Sequence, residues 1–141
     1  MVLVRNDTQN AGLNESVIRQ AVLATLRMHD SEACEVSVLL TDDCAIQSLN
    51  RQFRNIDTPT DVLAFAMRED GDESMNPHLL GDVIISVPTA QRQAHAQNHS
   101  LDVEVANLTV HGVLHLLGYD HQISADATIM FKKQEAVLRQ I

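Results

Sequence analysis

His111, His115 and His121 fall within the stretch His111-Gly112-Val113-Leu114-His115-Leu116-Leu117-Gly118-Tyr119-Asp120-His121. The first two are four residues apart in a run that reads as helix over 102–117, so both imidazoles face one side. Gly118 accepts the left-handed conformation of a helix end, and the chain beyond it can turn back to bring His121 to the same point. Three nitrogen ligands with a fourth tetrahedral position left open are the arrangement of a catalytic zinc rather than a structural one. A structural histidine cluster and a pH-responsive one compete for the same spacing, and other borderline transition ions take the same ligands. Asp120 is a candidate acceptor for a histidine N–H.

The zinc helix of peptide hydrolysis carries glutamate directly after its first histidine, as general base. Gly112 stands there in this chain. The spacing therefore supports a metal centre and argues against protease chemistry. Glycine inside a helix costs about 1 kcal/mol relative to alanine. Close backbone packing or room beside the metal would explain it, and the sequence does not choose between them.

A second candidate stretch is Arg54-Asn55-Ile56-Asp57-Thr58-Pro59-Thr60-Asp61. Arg54 reads either as a solvated surface residue or as a cation that clamps an anionic substrate or transition state. Asp57 and Asp61 read as turn organisers through side-chain to backbone bonds. Asp82 is read as a turn or strand-end residue, with support of the metal site as its functional alternative. His29, His78, His95 and His99 have no comparable constellation and are assigned to the surface or its boundary.

Positioning these residues requires a sheet with helices. Strands are predicted over 1–5, 35–41, 62–67 and 81–86. Helices are predicted over 14–28 with Asn14 as cap, from Thr41 or Asp42 to near Arg51, from Pro88 to about Asn98, and over 102–117 behind a cap at Ser100 to Asp102. A closing helix is expected from Ser124 or Ala125 to about Arg139. Residues 68–80 read as an exposed acidic loop, and pairing of 62–67 with 81–86 as a hairpin would make the sheet mixed. The expected fold class is α+β, a small mixed β-sheet packed with helices, with the metal-binding helix at its centre.

The chain has 141 residues, 45% of them hydrophobic, which suits one domain over 1–141. The formal net charge of −9 disfavours a protein that holds nucleic acid by a globally basic surface. A bound divalent ion and a few arginines can still invert the potential around one site. With one tyrosine, three phenylalanines and no tryptophan, extensive base stacking is not expected. Cys34 and Cys44 read as small buried residues, not as a disulfide or metal pair. No leader or membrane span is evident, so no membrane partner and a cytoplasmic location are expected.

The chain resembles the YbeY family of bacterial metal-dependent endoribonucleases, also described as rRNA maturation factors. The resemblance is carried by the histidine stretch together with Leu49-Asn50, Phe53-Arg54, Asp57-Thr58-Pro59-Thr60-Asp61-Val62-Leu63-Ala64-Phe65 and Gly81-Asp82-Val83-Ile84-Ile85-Ser86. It departs mildly, with Ala64 where serine is common and Asp126 where glutamate is. The resemblance implies one Zn2+ held by His111, His115 and His121, and Arg54 as the catalytic-cleft cation. It implies cleavage of single-stranded RNA, especially rRNA precursor at the 3′ end of the small-subunit RNA, and a part in ribosome quality control. It further implies a ribosomal protein or ribosome-associated GTPase as partner. A noncatalytic ribosome-associated zinc protein is the alternative from another class.

Overall fold

The computed structural model describes residues 2–8, 12–67, 78–118 and Lys132. The expected closing helix, His121, Asp120 and most of the acidic loop lie outside the described residues.

Burial alternates along β1 and most of β2, whereas β4 is buried on both faces. β1 (Val2–Asn6), β2 (Glu35–Thr41), β3 (Val62–Ala66) and β4 (Leu79–Ser86) form one sheet in the order β1-β2-β4-β3. β1, β2 and β4 run parallel, and β3 pairs antiparallel with β4, matching Ala64 to Val83. The sheet is therefore mixed, and β1 and β3 are its two edges.

Four helices connect and cover it: α1 (Glu15–Met28), α2 (Asp43–Arg54), α3 (Val87–Ala96) and α4 (Leu101–Leu116). Three of their starts follow the side chains available as caps, and α3 opens on Pro88 without one. Asn14 accepts from the Ser16 amide, Asp42 from that of Ala45 and Ser100 from that of Val103. At the other end of α4, Gly118 has φ +108° and its amide bonds to the His115 carbonyl, the stop expected for that residue.

Successive side chains of a strand point to opposite faces, and β4 shows what each face meets. Val83 and Ile85 join the main core with α1, α3 and α4, whereas Ile84 joins Leu63 and Ile46 beneath α2. Ten of the sixteen residues of α4 are buried, which makes it the central helix, packed on β3, β4, α1 and α3. Ala21 and Ala24 of α1 meet Ala106 and Val110 of α4, small residues that let the two helices approach closely.

Two expectations need correction. Helix α2 continues to Arg54 instead of ending near Arg51, because Asn55 takes the left-handed conformation at φ 58° and ends the helix there without a glycine. Cys44 is exposed in the first turn of α2, and only Cys34 is buried. Glu104, in the first turn of α4, is buried with 4% exposure and is hydrogen-bonded to His99, a pairing the sequence did not indicate.

Asp43 joins the two sides of the sheet. Its carboxylate accepts from Ser86 Oγ at 2.5 Å, Thr89 Oγ1 at 2.6 Å and Arg92 Nη2 at 2.8 Å. Burial opposes its ionisation, but the bonds from Ser86, Thr89 and Arg92 and the charge of Arg92 prevail, so its pKa lies below the ordinary 3.8. A depressed folded pKa stabilises the fold above the unfolded value and ceases to do so as pH falls through the folded value. Arg92 is largely exposed and contributes little as an ion pair. The Ser86 hydroxyl is fully buried and contributes more. We expect Asp43→Ala to lower unfolding free energy by about 1–2 kcal/mol at neutral pH. In urea titrations, the gap between variant and parent should close as pH falls below 3.8. A gap independent of pH would rule out the carboxylate as its source.

Candidate functional site

The cleft lies where the edge strand β3 meets α4. His111 and His115 occupy successive turns of α4, both half-buried, with ring centroids 4.9 Å apart and planes at 71°. Both line a cavity of about 340 Å³ together with Gly112, Val62, Ala64, Thr60, Asp61 and Arg54. Arg54 arrives from the helix on the opposite face of the sheet, reaching round β3.

Gly112 owes its place to packing. A Cβ there would lie 2.6 Å from Val83 Cγ1 and 3.4 Å from Val62 Cγ2. Valine is branched at Cβ and has no low-cost rotamer into which to retreat. The missing side chain thus lets α4 seat directly on β4, which decides between the two explanations left open by the sequence. It also sets the height at which the flanking histidines meet the β3 edge.

The loop that carries Thr60 and Asp61 is tied down along its length. Asn50, buried on α2, donates to the Thr58 carbonyl at 2.9 Å, and Gln47 donates to Asp57 Oδ1 at 3.1 Å. The Asp61 carbonyl accepts from the Ser86 amide at 2.9 Å, its Oδ1 from the Val62 amide at 2.8 Å, and its Oδ2 from Gln93 Nε2 at 3.3 Å. Asp61 is a turn organiser, as expected, and it also lines the cleft. The sequence reading missed that second role because the Gln93 bond joins residues 32 apart.

Arg5, Arg51 and Arg92 each have an aspartate oxygen within 4 Å. Arg54 forms no ion pair with another described residue and is exposed at the rim of the cleft. A cation in that position suits an anionic ligand. Asp82 lies on β4 opposite Ser37 and Phe65 and is not among the residues that line the cleft. The described residues contain no group of three or more His, Cys, Asp or Glu arranged to hold a metal ion. Two of the three expected ligands, His111 and His115, share the cavity with Arg54.

The family model for endoribonuclease YbeY matches residues 4–141. The chain belongs to the endoribonuclease YbeY family. Endoribonuclease YbeY of Moorella thermoacetica is 54% identical over 110 residues, covering 74% of this chain and 70% of that protein. That of Desulfitobacterium hafniense is 47% identical over 135 residues, covering 92% and 84%. That of Desulforamulus reducens is 42% identical over 147 residues, covering 99% and 96%. Among solved structures, the solution structure of TM1509 from Thermotoga maritima superposes with a TM-score of 0.67 at 26% identity. That match covers 98% of this chain and 87% of the other. The YbeY assignment thus spans β2, β3, β4 and α4, including the cleft. Among the described residues, no helix is long and apolar enough to cross a membrane.

Proposed function

We propose that this chain is a zinc-dependent, single-strand-specific endoribonuclease of rRNA maturation and ribosome quality control, working in the cytoplasm as one domain over residues 1–141. His111, His115 and His121 are its metal ligands and Arg54 its catalytic residue. The observation that carries this reading is the convergence of His111, His115 and Arg54 on one cavity in a chain of the YbeY family.

The donor chemistry fits the metal. Two neutral imidazoles on successive turns of one helix suit a borderline divalent ion, and His121, three residues past the glycine that ends the helix, supplies the third nitrogen. When bound, zinc supplies Lewis-acid polarisation of a phosphoryl oxygen.

The chain's own residues do the rest. The Arg54 guanidinium offers paired N–H donors that match two phosphoryl oxygens and oppose the negative charge that develops as the phosphodiester is attacked. The anchored 55–61 loop holds that side of the cleft in register with α4. Because the histidines are recessed beside β3, a strand that can bend its backbone inward reaches them more readily than a rigid duplex.

The net charge of −9 opposes nonspecific attachment to RNA, so a ribosomal protein or ribosome-associated GTPase that docks the acidic enzyme beside its rRNA precursor suits it. The test is cleavage of a 3′-extended small-subunit rRNA precursor by zinc-loaded protein, with product ends mapped. We expect discrete cuts in single-stranded RNA that vanish on chelation and return on reloading. Absence of cuts by the loaded protein overturns the catalytic reading in favour of a noncatalytic ribosome-associated zinc protein.

A further inference from the structure

Phe53 precedes Arg54 in the last turn of α2 and is 60% exposed, although the helix buries Ile46 and Asn50 on its inner face. Its ring lies against that of Phe65 on β3, with centroids 5.2 Å apart and planes at 60°. Phe65 is half-buried and packs against the cluster of Ile46, Leu63 and Ile84 beneath α2, which makes it a fixed support. A ring held in this way is oriented before anything binds, so little ordering is left to be done on binding.

Two connections link that ring to the histidine cleft. Arg54, its neighbour in the chain, lines the cavity, and consecutive Cα atoms are only about 3.8 Å apart. Ala64 of β3 lines the same cavity, while Phe65 beside it points to the other face of the sheet. Because β3 is an edge strand, a ligand that crosses this edge passes from the histidines over Arg54 to Phe53.

An aromatic face beside a guanidinium matches one nucleotide of a single strand, with the base on the ring and the phosphate on the cation. A protein partner fits the ring less well. Phenylalanine offers about 150–250 Å² of contact, whereas each side of a standard protein interface buries about 800 Å². Three phenylalanines in the chain argue against extensive stacking, but a single platform needs one ring.

We infer that Phe53 is a base-stacking platform of the RNA site, which receives one unstacked base of the strand whose phosphate Arg54 holds. The inference rests on the endoribonuclease reading of the cleft. Stacking accepts any base, because every base has a π-face, so the platform selects for an unpaired nucleotide and not for a sequence.

The test uses zinc-loaded protein and single-stranded oligoribonucleotides with a mapped cut, in which the nucleotides near the cut are made abasic one at a time. At one position, loss of the base should lower kcat/KM by about tenfold, the worth of one stacked base, with the change falling in KM. Phe53→Leu keeps an apolar cover on Phe65 but has no aromatic face, so it should abolish that penalty, and Phe53→Tyr should retain it. A merely structural defect would lower all substrates alike and leave the penalty standing. Absence of any such position in the parent, or a penalty unchanged in Phe53→Leu, overturns the platform. If the parent cleaves none of the set, the reading of the cleft fails and a binding readout decides the platform. The chain has no tryptophan, so Phe53→Trp gives a single indole at this position. Quenching of its emission by a 2′-O-methyl oligonucleotide, but not by the same strand made abasic, then upholds the platform, and equal or absent quenching overturns it.

Discussion

His115→Ala should strip the protein of both bound zinc and RNA cleavage while leaving the fold in place. His115 is half-buried at the cleft, in the last turn of α4, and the helix core at that level is made by Val113, Leu114 and Leu116. Removing the imidazole therefore subtracts a ligand without opening the core. Loss of a group that only supports a metal ligand typically lowers affinity or activity 10–100-fold. Loss of a ligand itself should exceed this, with cleavage down at least about 100-fold. Elemental analysis, circular dichroism and cleavage of the same preparation check the expectation. His95→Ala, an exposed histidine of α3 outside the cleft, is the matched control and should retain both zinc and cleavage. A folded His115→Ala protein with full zinc and full activity would remove this residue from the centre.

Arg54→Ala should separate charge stabilisation from metal binding. Arg54 lines the same cavity yet carries no metal-donor atom, so zinc content should stay at the parent level. Cleavage should fall by about 10²–10³-fold, the cost of losing one preorganised group aimed at developing charge. If the guanidinium acts mainly in the transition state, kcat and kcat/KM fall together, whereas a role confined to holding RNA raises KM and spares kcat. Arg54→Lys keeps the charge but loses the planar fork, and should recover only part of the activity. Stability should change little, because Arg54 is exposed at the helix end. Unimpaired cleavage by Arg54→Ala would return this residue to the solvated surface role weighed for it from sequence.

Much of the architecture was legible because local signals agreed with the global fold. Alternation in Val36, Val38 and Leu40 marked β2, capping side chains at Asn14, Asp42 and Ser100 started three helices, and Gly118 stopped α4. The β3–β4 hairpin followed from two apolar runs separated by a polar segment. Where the reading failed, the deciding interaction was distant or chemically silent in the sequence. Asn55 replaced glycine as the helix stop, and the bond from His99, a boundary residue as expected, to the buried Glu104 carboxylate had no signal in the sequence.

By itself, the sequence determined the spacing that puts His111 and His115 on one face of a helix, because helical periodicity follows from chain geometry alone. It also determined the mixed sheet, and its motifs carried the resemblance to the YbeY family. Only the tertiary structure decided that Arg54 shares a cavity with those histidines, since the two lie on helices that cover opposite faces of the sheet and meet only around its edge strand. It decided that Gly112 serves close packing on Val83, a contact between residues 29 apart that no local pattern encodes. It also placed Asp61 and the amides of α3 beside the histidine cleft, because hydrogen bonds across the sequence, and not propensity, fix where that loop sits.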